Sequence, residues 1–360
     1  MTDFSSRTDH IGLQIEIFDG HNDSVHLIRE YRPDGIDFLA ANTTGHLDLP
    51  RAQQGGMVGG LFAMWVAPEH PPTGNLTTDG DRWEVRMAEP LNPAYAQRET
   101  AKELAALKSL VARSNGKLRI ATTVDQIGQA LRDDALALVL HVEGAEAIGP
   151  SLTELETLYS EGLRSLGPVW SRPNIFGYGV PFAYPHSPDT GPGLTPVGKD
   201  LVRACNRLGV MVDLAHLNER GFWDVAAITT APLVASHTCA HAIAPTARNL
   251  TDKQLDAIRE SDGLVGVNLC VNDIRADGRK DIDTPLDMVV RQFDYLVERI
   301  GTDRVALGSD FDGATIPAPI GDAGGLQNLI AALRAHGFDE ASLRKLAFEN
   351  WMRVLRLTLR

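Results

Sequence analysis

Residues 136–143 read Leu-Ala-Leu-Val-Leu-His-Val-Glu, an apolar run that ends on a carboxylate. Short apolar runs like this one alternate with amphipathic stretches along the chain, the pattern of βα units around a parallel sheet. The expected strands are 15–23, 59–66, 136–143, 163–170, 210–216, 233–237, 264–269 and 305–310, with 118–123 as an accessory segment. Helices between the later strands carry start and stop signals: Thr195-Pro196 with Gly209, Thr251-Asp252 with Gly263, and Thr284-Pro285 with Gly301. Eight strands with intervening helices, no linker and no internal repeat predict an α/β fold. The expected architecture is one (β/α)8 TIM-type barrel domain over residues 1–360.

Two segments after strands are long. Residues 67–97, after strand two, are rich in Pro, Gly, Asp and Glu; residues 171–194, after strand four, combine Pro and Gly with aromatics. Loops of this length tend to be lids or binding loops, and in a barrel the loops after strands lie on the catalytic face.

Composition narrows the function. Of 360 residues, 43% are apolar and 22% charged, as in globular proteins. A net charge of −13 argues against nucleic-acid partners and anionic membrane surfaces. The polar start Met1–His10, the lack of a long apolar stretch and an arginine-bearing end with no anchor signal lead us to expect a cytoplasmic protein without a membrane role. Cys205, Cys239 and Cys270 are too few and too scattered for a disulfide framework or a thiolate zinc site.

Chemistry-bearing residues gather at the strand ends. His21 and Asp23 close strand one, Glu143 strand three, His216 strand five, His237 strand six and Asp310 strand eight. A closed barrel brings all six to one mouth. Imidazoles and carboxylates without thiolates suit Zn²⁺ or a similar ion, and Mn²⁺ or Co²⁺ would also accept this donor set. A bridging carboxylate can hold two such ions, whose shared water is acidified, while a further aspartate moves its proton to a leaving amine. Any one of these residues alone would read as a hydrogen-bonded cap or an interior ion pair; the metal reading rests on the combination. His141 reads as a barrel-layer or supporting residue, and His10, His26, His70, His186 and His336 as surface or packing residues.

These segments resemble the renal-type membrane dipeptidases, peptidase family M19, within the amidohydrolase-like barrels. The resemblance is carried by Asp19-Gly-His-Asn-Asp23, Val142-Glu-Gly144, Gly193-Leu-Thr-Pro-Val-Gly198, Val212-Asp-Leu-Ala-His216, Ala235-Ser-His237, Ala247-Arg-Asn-Leu250 and Gly308-Ser-Asp-Phe-Asp-Gly313. It implies a binuclear zinc dipeptidase: His21 and Asp23 on one ion, His216 and His237 on the other, and Glu143 bridging them. It further implies attack by a metal-bridging hydroxide, with Asp310 as general base and acid, and Arg248 binding the dipeptide's terminal carboxylate. A small dipeptide substrate, tolerance of a D-residue at its C-terminal position, and a homodimer follow from the same resemblance.

Three positions depart from the family pattern. Trp170 stands where a histidine is usual after strand four, Val66 beside Trp65 where a tyrosine is common, and Cys270 where a second tyrosine is common. Trp170 can donate one N–H to substrate but cannot act as an imidazolium. Arg172 is a candidate to compensate, as an oxyanion donor or as partner of an acidic substrate side chain; its plainer reading is a structural loop arginine. The altered substrate shell leaves room for hydrolysis of N-acyl amino acids or cyclic amides. A non-catalytic dipeptidase homologue is the third reading, disfavoured because every metal and base position is intact.

Overall fold

A computed structural model describes residues 14–28, 36–69 and 76–359. His10, His70, the Met1–His10 segment and Arg360 lie outside the described residues.

The eight expected strands are present and all pair in parallel. They are β1 (Ile17–Asn22), β2 (Met57–Trp65), β3 (Leu136–Glu143), β4 (Leu163–Gly167), β5 (Met211–Val212), β6 (Val234–Thr238), β7 (Leu264–Val267) and β8 (Val305–Leu307). Ladders join β1 through β5 in sequence order and β6 through β8 in a second group. Single bridges, Asp213 to Val234 and Asn22 to Phe311, join the two groups on both sides. The parallel sheet therefore curls into a TIM-like barrel. Leu118–Ile120 pairs with the first residues of β3, as an accessory strand.

Every residue of β1 and β3 is buried. Some of the buried residues are polar: His141, Ser165 and Asp213, from β3, β4 and the end of β5, approach one another and His21. Contacts among non-neighbouring strands put this polar layer inside the barrel, directly behind the strand ends.

Helix signals worked locally. Thr195 Oγ1 accepts from Gly198 N at 3.0 Å at the start of helix Pro196–Leu208, and Gly209 closes it in the left-handed region at φ 75°. Thr284 behaves differently, donating to Asp281 O at 2.6 Å while Pro285 precedes helix Leu286–Ile300.

Strand ends fall earlier than expected at β4, β5, β7 and β8. The reason is explicit at two of them: His216 and Asp310 have positive φ, 64° and 60°, which cannot continue an extended ladder. The two long segments pair with one another. Leu76–Asp79 and Arg82–Val85 form a hairpin, and Phe182–Tyr184 of the other segment adds a third antiparallel strand. Trp83 and Tyr184 stack with centroids 6.4 Å apart, and their polar atoms reach Gly278 O and Ala276 O at 2.7 and 2.6 Å.

Candidate active site

Three histidine side chains meet at Glu143. Its Oε1 lies 3.0 Å from His216 Nε2, 3.5 Å from His237 Nε2 and 3.7 Å from His21 Nε2. His21 Nε2 is also 3.4 Å from Asp23 Oδ2, and the His21 and His237 rings stack at 3.8 Å. His216 Nε2 and His237 Nε2 are 3.1 Å apart. Three overlapping groups that share His21 bring donor atoms close enough to hold a cation: His21, Glu143 and His237; His21, Asp23 and Asp310; and His21, His141 and Asp213.

The cluster's protonation follows from charge and burial. Burial, then the Arg248 charge, holds the His216 imidazole well below its usual range; burial and then His21 do so at His237. Burial disfavours the charged form of His21 too, but Glu143 and Asp23 outweigh it and lift the group to about 10. Burial also pushes Glu143 well above the usual carboxyl range. Two neutral imidazoles turn their Nε2 atoms towards one another and towards Glu143 Oε1, a donor set that suits a cation. Both ring nitrogens of His21 and Asp23 Oδ1 are buried without a hydrogen-bond partner. On these grounds the residues fit a metal site.

The other ring nitrogens are held. Ser171 Oγ lies 2.8 Å from His216 Nδ1, and Ser236 Oγ lies 2.8 Å from His237 Nδ1. Ser236 Oγ donates to Asp213 Oδ2 at 2.5 Å, and Asp213 Oδ1 accepts from Ser236 N at 2.7 Å. Because Ser236 gives its hydroxyl proton to Asp213, its oxygen must accept from His237 Nδ1–H. That tautomer leaves Nε2 unprotonated and free to ligate. Asp19, two residues before His21, is fixed by Ser309 N at 2.7 Å and Ser309 Oγ at 2.8 Å, which couples β1 to the end of β8.

Asp310 is partly buried beside this cluster. Burial, reinforced by the Asp23 charge, raises it to about 7, and Asn268 Nδ2 donates to its Oδ2 at 3.0 Å. A carboxyl near neutrality can both take and return a proton. Gly313 is required here: a Cβ at that position would collide with Asp23 Oδ2 and Asp310 Oδ1. Arg248 is buried, with Nη2 donating to His237 O at 3.2 Å.

Trp170 is partly exposed, with its ring 5.8 Å from His216, 5.1 Å from Trp65 and 5.5 Å from Phe182. Arg172 is wholly buried: Nε donates to Glu146 Oε1 at 2.7 Å and Nη2 to Val66 O at 2.9 Å. These contacts agree with the plainer reading of Arg172 as a structural loop arginine, although its Nη1 is buried without a hydrogen-bond partner.

Sequence reasoning did not single out Ser171, Ser236, Asp213 or Asn268 as individual residues. Asp213 and Ser236 do lie inside the quoted segments, three residues before His216 and one before His237. Cys205 and Cys239 are buried, and burial pushes the Cys205 thiol up to about 12, in keeping with a packing role.

The sequence profile described as membrane dipeptidase (peptidase family M19) matches residues 6–359. A metallopeptidase structure from Rhodobacter sphaeroides, liganded with a phosphinate mimic of the dipeptide L-Ala-D-Ala, is 44% identical with a TM-score of 0.90. That alignment covers 96% of this chain and all of the other. An uncharacterised Klebsiella pneumoniae protein from the pqqA 5′ region is 50% identical over 71% of this chain and 94% of its own length. Dipeptidase tcpJ of Claviceps purpurea is 29% identical over 94% of this chain and 76% of its own.

Proposed function

Since the chain belongs to the membrane dipeptidase family, peptidase family M19, and is a metallo-dipeptidase, we propose that it cleaves dipeptides using two divalent cations, zinc foremost. In this reading His21 and Asp23 hold one ion, His216 and His237 the other, and Glu143 serves both. The carrying observation is the convergence of three histidine nitrogens on Glu143 Oε1. Bound cations would supply Lewis acidity and an acidified water.

The remaining roles belong to the chain's own side chains. Asp310, with Oδ2 held by Asn268, uses Oδ1 to take a proton and return it to the departing nitrogen. Arg248, anchored on the carbonyl of His237, offers its remaining N–H groups to the substrate carboxylate. Trp170 borders the reacting amide with an indole in place of an imidazole. Tolerance of a D-residue at the C-terminal position is part of the proposal, supported by the dipeptide mimic bound to the R. sphaeroides relative. So is a single domain over 1–360, supported by a family match running from residue 6 to 359. Among the described residues no helix is long and apolar enough to cross a membrane.

The test is a substrate panel of L-Ala-L-Ala, L-Ala-D-Ala and N-acetyl-L-Ala with the metal-loaded protein. Release of alanine from both dipeptides, abolished by chelation, is the expected result. Turnover confined to the N-acyl compound would replace this reading with N-acyl amino acid hydrolysis.

A further inference from the structure

Three aromatic side chains stand together on one side of the site. Trp65 comes from the end of β2, Trp170 from beyond β4, and Phe182 from the outer sheet. Trp170 is the hinge of the group, meeting Trp65 at 62° and Phe182 at 61°, both edge to face. All three rings are partly exposed, whereas Trp351, packed on Phe18 elsewhere in the barrel, is fully buried. They present apolar surface rather than vanish into the core.

The wall is braced from behind. The Arg172 guanidinium carbon lies 5.2 Å from the Trp170 centroid and 6.0 Å from that of Trp65. Glu146 and the Val66 carbonyl fix that guanidinium in turn. With its charge met by Glu146, Arg172 stiffens two indoles without making the face in front of them attractive to an acidic group. Rigid, preorganised aromatic surfaces lose little entropy when a ligand packs on them.

Position assigns the occupant. Trp65 and Trp170 stand at strands β2 to β4, away from Arg248 beyond β6, while Phe182 closes the wall on the Arg248 side, next to Ala183, whose O accepts from Ala247 N at 3.1 Å. A dipeptide whose carboxylate meets Arg248, and whose amide lies over Glu143, directs its amino-terminal residue towards the wall. We infer that Trp65, Trp170 and Phe182 form the pocket for the amino-terminal side chain, and that the enzyme prefers a large apolar or aromatic residue there. This inference rests on the dipeptidase reading.

The test compares kcat/KM for L-Phe-L-Ala and L-Ala-L-Ala on the metal-loaded enzyme, then on Trp170→Ala and Phe182→Ala. In the wild type the phenylalanyl substrate should win by about tenfold or more, the scale set by filling an apolar pocket. In either variant the ratio should fall towards one, chiefly through a raised KM for L-Phe-L-Ala. Equal turnover of the two substrates by the wild type would overturn the pocket while leaving the dipeptidase reading intact. A wild-type preference that persists in both variants would overturn it as well. Hydrolysis of neither dipeptide would overturn the dipeptidase reading, and the pocket with it.

Discussion

His216 Nε2 and His237 Nε2 lie 3.1 Å apart, in contact across a site where burial holds both imidazoles neutral. The two residues reach that point by different routes. His237 is a strand residue within β6, whereas His216 turns in through a left-handed backbone at φ 64°. A strained conformation at a non-glycine residue costs on the order of 1–3 kcal/mol and persists where the surroundings enforce it. Here Ser171 holds the ring from the other side.

Asp310→Asn removes the group that moves the proton without removing a donor from the Glu143 cluster. We expect kcat to fall by about 10²–10⁴, with metal content equal to wild type. Rate measurements beside elemental analysis check this; a variant within threefold of wild type would deny Asp310 the role.

Asp213→Asn reverses a chain of protons. An amide donating to Ser236 would oblige the serine to donate to His237 Nδ1, moving the imidazole proton to Nε2 and blocking its lone pair. Metal affinity should drop by about 10–100-fold, read by competition against a chelator of known affinity. An unchanged affinity would show that the Asp213–Ser236–His237 chain does not set the tautomer.

Gly313→Ala tests how tightly the two carboxylates are placed. The added methyl meets Asp23 Oδ2 and Asp310 Oδ1, so both must move. Displacements of about 1 Å cost on the order of 10² in rate, and metal content should fall along with kcat.

Glu103 lies on helix Pro93–Arg113, fully buried, with neither carboxyl oxygen hydrogen-bonded. Burial, then the Asp23 and Glu99 charges, push it well above the usual carboxyl range. The unfolded chain therefore ionises this group at lower pH than the folded one, and stability falls as pH rises through that window. Glu103→Gln should exceed wild type in Tm by about 2 °C or more at pH 8 and match it near pH 4. Thermal melts at both pH values check the sign; equal melting temperatures at pH 8 would refute it.

Much of the barrel was legible because apolar runs and cap signals are local. The ligands were legible for a related reason: a carboxylate or imidazole ending an apolar run, as Glu143 ends 136–143, is visible without knowing its partners. What escaped depends on contacts across the chain. The breaks at His216 and Asp310 are set by neighbouring loops, so the strands were drawn too long. Ser171 and Ser236 matter only for the nitrogens they touch. The hairpin did carry a signal, since Gly80-Asp81 between two short segments is a two-residue turn, with Gly80 at φ 60°. It was hidden by the polar composition of the surrounding loop. The partner of Arg172 was not legible, because Glu146 lies 26 residues earlier, on another loop.

The most direct measurement determines bound metal and L-Ala-D-Ala hydrolysis together, for wild type and for Glu143→Gln. The account predicts about two divalent cations per wild-type chain, chelator-sensitive hydrolysis, and loss of both metal and activity in the variant. Hydrolysis that survives chelation and the loss of the Glu143 carboxylate would contradict it.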